Sequence, residues 1–186
     1  EKSRKRFPWI IKIFNTLKDK DINIRLHLFG TLDKPANIEH SSYVKNPSPE
    51  QLLRFYNKVD FWLAPTMSEG LHIPPQEAML CGCVLFGADE ELSGMSDYLE
   101  DGKTGFIIKN CKDAAEKVAD MVSSEDGRVL LEQASKKGSK KIVSLGDRKA
   151  NMERMIGLFK GSRSQKTPGD YVDNMRALIA KGRMRR

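Results

Sequence analysis

The sequence predicts an α/β fold built on a doubly wound parallel sheet. Apolar runs short enough to be strands alternate with amphipathic stretches of helical length from residue 7 to residue 159. The runs at 59–64 and 83–86 are apolar almost throughout rather than alternating, as in parallel strands covered on both faces. Proline and glycine bracket the stretch between them: Pro74 and Pro75 suit first-turn positions, where an N–H is not needed, and Gly82 suits a helix end.

The elements follow in order. Residues 7–17 form an amphipathic helix, 24–29 a strand closed by Gly30, and Tyr43-Val44 a short extended piece. Gly30 reads as an ordinary turn glycine. Ser48 is an N-cap with Pro49 in the first turn and Gln51 at the capping-box position, and this helix runs on to Tyr56. The unit at 59–86 is strand, loop, helix, strand. Residues 106–108 give another strand, and 113–122, 125–143 and 148–159 give helices. Residues 161–169 form a polar linker and 171–180 a short amphipathic helix, so the chain divides into a nucleotide-binding domain at 1–160 and a basic linker and C-terminal helix at 161–186.

Composition narrows the function classes. The chain has 186 residues and a net charge of +7, enough length for one well-cored domain with an appendage. The charge is uneven: from Lys136 onward the net is +11, whereas residues 1–135 carry −4. A uniformly basic nucleic-acid domain is thereby excluded, and neither a zinc finger nor an RNP-type aromatic motif is present. The basic end instead suits an anionic membrane surface, with a solvated helical face as the plainer reading. Cys81, Cys83 and Cys111 are odd in number and lie in or beside apolar segments, as reduced thiols of a cytoplasmic protein do. No run approaches the roughly 20 apolar residues of a membrane span.

The chemistry concentrates in the stretch from Thr66 to Gly82. Glu69 on the loop and Glu77 in the helix's first turn would face the carboxyl edge of the sheet, where doubly wound folds bind ligands. The helix start attracts phosphate through free N–H groups and the macrodipole. A carboxylate, an acceptor only, takes two hydrogen bonds from a vicinal diol, which ribose and hexose both offer. Gly70, lacking a Cβ, lets the backbone approach such a ligand. Asp19-Lys-Asp21 has a D-x-D form that binds divalent metal in some transferases, but its place between helix and strand favours a turn. His27 alternates with apolar strand residues and His40 lies in a polar loop, neither with a ligand partner in view.

The run Ala64-Pro-Thr, Ser68-Glu-Gly, Glu77-Ala-Met-x-x-Gly resembles the E-x7-E signature of retaining, family-4-type glycosyltransferases. Residues 98–108, Tyr-Leu-Glu-Asp-Gly-Lys-Thr-Gly-Phe-Ile-Ile, resemble the same family's "dG-x-t-G-hydrophobic" segment. The resemblance covers residues 7–159 and implies the C-terminal, Rossmann-like, donor-binding half of a two-domain GT-B enzyme. It implies that the N-terminal acceptor-binding half is missing, that the chain is an excised fragment, and that its first strand and phosphate loop are truncated.

By the same resemblance the ligand is a nucleoside-diphosphate sugar, with no metal and no other cofactor. Glu77 would hold the ribose diol and Glu69 the donor sugar. Lys5, or the adjacent Arg4 or Arg6, would meet the diphosphate, and Tyr43 and Val44 the nucleobase. Ser68, Gly70, Leu71, His72 and Ile73 would line the donor, the last four through backbone N–H groups. Leu71-His72 stands where the family usually has Phe-Gly, a departure that bears on the donor pose. The implied activity is transfer of the sugar to a glycan or lipid-linked acceptor in surface-polysaccharide assembly, in the cytoplasm or at its membrane surface. Two alternatives stay open: half of a nucleotide-sugar 2-epimerase, and a basic, non-enzymatic membrane-associated module of the same fold.

Overall fold

A computed structural model of the chain describes residues 4–88, 90 and 93–163. Residues 4–145 form one compact unit, and the helix α6 (Arg148–Arg163) belongs to a second. The predicted α/β class holds, and every strand pair is parallel. The strands fall into two sheets rather than one: β1 (His27–Gly30) pairs with β2 (Ser42–Lys45), while β4 (Val84–Ala88) lies between β3 (Phe61–Ala64) and β5 (Gly105–Ile108). Strands β1 and β3 begin three and two residues later than the apolar runs at 24–29 and 59–64 that predicted them. Those leading residues still pack apolar side chains, as Ile24 does against the core.

The strand β4 shows why the fold closes. All five of its residues are buried, and they alternate between two layers. Val84 and Phe86 point to a cluster that includes Ile13 and Leu17 of α1 (Phe7–Asp19) and Ala114, Ala115 and Val118 of α4 (Cys111–Ser123). Leu85 points the other way, toward Met79 of α3 (Ile73–Leu80), Met95, Tyr98, Leu99 and Ile142 of α5 (Glu125–Ser144). Helices therefore cover both faces, the arrangement a doubly wound sheet requires. Phe86 stacks on Phe106 at 5.2 Å and meets Phe61 edge-on at 5.7 Å.

Local signals act as the sequence implied. Ser48 caps α2 (Pro49–Tyr56) through a full capping box with Gln51. Asn110 caps α4 and Ser124 caps α5. Gly82 follows α3 at φ 91°, a left-handed value that strains any residue with a Cβ. Helix α6 continues three residues into the predicted linker at 161–169; the remainder of that linker and the predicted helix at 171–180 lie outside the described residues.

Candidate functional site

The loop after β3 reaches the carboxyl edge through buried Pro65 and Thr66. Two backbone hydrogen bonds fix it: Met67 N–H donates to the Arg4 carbonyl at 2.9 Å, and Gly94 N–H donates to the Glu69 carbonyl at 3.0 Å. The second draws the segment at 93–94 against the loop so closely that a Cβ on Gly94 would lie 1.8 Å from the Gly70 carbonyl oxygen. Around Gly70 itself there is open space, with nothing within 4 Å of a Cβ placed there. The sequence pointed to Gly70 as the glycine that grants room; Gly94 is the one the packing demands.

The loop ends at His72, which caps α3 in the left-handed region at φ 46°. A non-glycine residue there is strained, and several contacts hold it. The Tyr98 hydroxyl donates to the His72 carbonyl at 3.2 Å, and the Gln76 side chain donates to the Leu71 carbonyl. His72 Nε2 lies 3.5 Å from Thr66 Oγ1, while its Nδ1 is buried with no hydrogen-bond partner among the described residues. Burial pushes the His72 imidazole below its ordinary pKa; the Glu69 carboxylate pulls it up and the Lys5 ammonium down. It is neutral at neutral pH, with one nitrogen unused.

The start of α3 differs from a standard anion site in one respect. Pro74 and Pro75 follow Ile73 in the first turn, so two of its N–H donors are absent. No acidic side chain and no capping side chain occupies the end either. Among the described residues, the N–H groups of Gly70, Leu71, His72 and Ile73 make no hydrogen bond. The free donors are therefore displaced from the helix proper into the loop that precedes it.

Facing this loop is a cavity of about 1510 Å³. Of the predicted site residues, Lys5, Tyr43, Glu69, Leu71, His72 and Ile73 line it. Val44, Ser68, Gly70 and Glu77 are not among the lining residues. Val44 packs beside Phe55 and Tyr56 of α2, and Ser68 is half-buried in the loop. Tyr43 donates its hydroxyl to the Leu32 carbonyl and stands across from Gly30, which the cavity also touches. The two glutamates therefore do not line one wall together, as the sequence reading expected. Glu69 does so, with the Arg4 guanidinium 3.3 Å from its carboxylate, while one oxygen of Glu77 accepts a 2.9 Å hydrogen bond from the Tyr56 hydroxyl.

Tyr56 was not a candidate from sequence, where it read as the apolar end of a helix. It is 3% exposed, boxed edge-on by Phe29, Phe55 and Trp62, and only its hydroxyl reaches out to Glu77. Burial and the Glu77 carboxylate push its pKa far above the ordinary tyrosine value, so it remains a donor at any working pH. Tyr98 is the second such residue. The glycine-threonine segment at 102–105 turns back so that Thr104 donates to the Tyr98 carbonyl at 2.7 Å and accepts from Glu100 N–H at 2.7 Å. That motif is a scaffold for Tyr98, and through it for His72.

The basic residues sort themselves. Arg6 stands 2.6 Å from Glu90 and 4.6 Å over the Trp9 ring, and Arg4 faces Glu69. Lys5 lines the cavity with no ion pair among the described residues. The other constellations are structural. Asp19 ends α1 and Asp21 sits in a left-handed turn at φ 56°, as the turn reading expected. His27 Nδ1 shares a 2.7 Å hydrogen bond with Ser42, and His40 Nδ1 donates to the Ile38 carbonyl at 2.6 Å. All three cysteines are free, and burial pushes the Cys83 thiol up to about 12.

Comparison with known proteins adds to this geometry. A family model described as "Glycosyl transferases group 1" matches residues 2–141. The poly(ribitol-phosphate) alpha-N-acetylglucosaminyltransferase of Staphylococcus aureus (strain COL) is 25% identical over 168 residues, 83% of this chain and 33% of that protein. An uncharacterized glycosyltransferase of Methanocaldococcus jannaschii, MJ1178, is 26% identical over 138 residues, 69% of this chain and 39% of that protein. The chain thus spans between 33% and 39% of the length of these two curated relatives. Among solved structures, TarM superposes with a TM-score of 0.69 at 21% identity, over 84% of this chain and 33% of that one. Sucrose-phosphate synthase from Thermosynechococcus elongatus gives 0.67 at 16% identity, over 88% and 43%. At such identities the likeness establishes the fold, the Rossmann-like half of a GT-B protein.

Proposed function

Because the chain belongs to the glycosyl transferases of group 1, we propose that it is the donor-binding domain of a retaining, metal-independent glycosyltransferase that moves a sugar from a nucleoside diphosphate to a glycan or lipid-linked acceptor. The observation that carries this reading is one wall of the cavity, which Glu69, Lys5 and the residues 71–73, with their unpaired N–H groups, line together. Such a wall offers a carboxylate for sugar hydroxyls and donors for an anionic leaving group. A TarM structure that holds UDP supports a nucleotide ligand for the shared fold.

In this mechanism the anomeric bond breaks to give an oxocarbenium-like sugar and a nucleoside diphosphate. Lys5 and the loop N–H groups stabilise the charge growing on the diphosphate, and they stabilise it more in the transition state than before it. Glu69 orients the sugar. Glu77, with one oxygen held by Tyr56, keeps the other for the ribose diol. The leaving phosphate takes the acceptor's proton, so the two carboxylates orient and do not act as acid and base. His72 lines the same wall beside Glu69, with its ring held neutral by burial.

The acceptor in this reading belongs to the assembly of a surface polysaccharide, which the name of the poly(ribitol-phosphate) relative supports, as does that of a capsular polysaccharide biosynthesis glycosyltransferase of Staphylococcus aureus, CapM, 26% identical over 133 residues. No described helix is long and apolar enough to cross a membrane. Calorimetric titration with UDP-, GDP-, ADP- and dTDP-sugars tests the reading. One nucleotide should bind with or without its sugar and bind equally in EDTA; a requirement for divalent metal, or binding to none of the four, contradicts it.

A further inference from the structure

On the donor-binding reading, on which this rests, we propose that His72 limits the size of the donor sugar. Its imidazole fills the cavity wall beside Glu69, so that a plain hexose fits and a sugar with an acetamido group at C2 is turned away. The starting point is a residue that local structure does not favour. His72 holds φ 46° and ψ 62°, a left-handed conformation in which glycine is unstrained and a side chain is not. Its Nδ1 is buried with no hydrogen-bond partner among the described residues, a second unfavourable feature that glycine would remove. The ring does not cap α3, whose first turn receives no side-chain hydrogen bond from it. What the ring does is line the cavity.

The ring has little freedom to move aside. The His72 carbonyl accepts from the Tyr98 hydroxyl at 3.2 Å, and the carbonyl before it accepts from the Gln76 side chain. Tyr98 is buried, as is Thr66, whose hydroxyl lies 3.5 Å from Nε2, so both anchors belong to the core. Ile73 leads straight into Pro74 and Pro75, each with a fixed φ. A sugar substituent that meets this ring therefore meets a set wall. Position names the substituent. The Glu69 carboxylate and the Lys5 ammonium both act on the imidazole, and all three residues line the cavity. With Lys5 at the diphosphate and Glu69 at the sugar hydroxyls, the ring lies where sugar joins phosphate, beside C1 and C2. A hydroxyl at C2 is small enough to sit against the ring, whereas an acetamido group needs the room that the ring occupies.

Calorimetric titration reads the ratio of affinities within matched donor pairs. The pairs are glucose against N-acetylglucosamine and galactose against N-acetylgalactosamine, each as its UDP, GDP, ADP and dTDP ester. In the unaltered protein the plain hexose of one pair should bind at least about tenfold tighter than its N-acetyl partner. His72→Gly should bring that ratio below about threefold. Glycine suits a φ of 46°, so the variant should keep its fold by circular dichroism; His72→Asn, smaller than histidine and also at ease in that region, gives a second reading. His72→Gln, which refills the space, should keep the ratio. A role confined to holding the loop would shift both members of a pair alike. Equal affinity within every pair in the unaltered protein, a ratio that survives both His72→Gly and His72→Asn, or one that His72→Gln loses as fully as glycine does, overturns the inference. Binding of no nucleotide at all overturns the donor-binding reading, and this inference with it.

Discussion

Tyr56, Glu77 and His72 carry the finest detail of the site, and none acts as its sequence neighbourhood alone would imply. Tyr56→Phe removes one hydrogen bond without changing the packing of the ring. It should cost about 1 kcal/mol of stability and weaken nucleoside-diphosphate binding about fivefold, since Glu77 loses its anchor. Calorimetry alongside urea unfolding checks this, and unchanged affinity would leave Tyr56 a packing residue. The imidazoles of His27 and His72 are both lowered from 6.5, chiefly by burial. The unfolded chain therefore binds more protons than the folded one just below pH 6.5. Stability is complete above that value and falls as pH drops from it through the lowered folded values. His72→Gln should flatten part of that fall in urea midpoints measured across pH; an identical slope would show that His72 does not titrate against the fold. The role of a tyrosine at a helix end was hidden in the sequence because its partner lies 21 positions away.

At the level of elements, the sequence displayed what local rules control. The capping box at Ser48, the glycine after α3 and the doubly buried β4 all follow from residue order and period. Contacts that join distant segments were not legible. Ser93 and Gly94 lie beside the loop at 69–70 by tertiary packing alone, and nothing in their spacing marks them. Gly94→Ala would force a Cβ into the Gly70 carbonyl, so the loop must move. Donor binding should fall more than about tenfold while the circular dichroism of the fold persists, because a misplaced loop costs orientation before it costs the core. Retained affinity would mean that the loop yields freely. Phe86→Ala, in contrast, empties the centre of the sheet and should cost about 3–5 kcal/mol in urea unfolding. A loss under about 1 kcal/mol would mean that this layer collapses around the void.

For the whole molecule, the parallel α/β class was readable from the alternation of runs, but the division into two sheets was not, since pairing depends on which strands are neighbours. The charge asymmetry was readable, and its partner is testable. The chain should co-sediment with vesicles rich in anionic lipid and release as salt rises, each basic residue near the surface contributing about 1 kcal/mol. Equal binding to neutral vesicles would remove the electrostatic account. The central claim is that one loop and the helix beside it hold a nucleotide sugar, with Glu77 on the ribose and Glu69 on the sugar. The most direct measurement is calorimetric titration of the protein with one nucleoside diphosphate, with and without its sugar, in the Glu69→Ala and Glu77→Ala variants. Glu77→Ala should weaken both ligands, whereas Glu69→Ala should weaken only the sugar-bearing one. Loss of both ligands in both variants, or of neither in either, would contradict that division of labour.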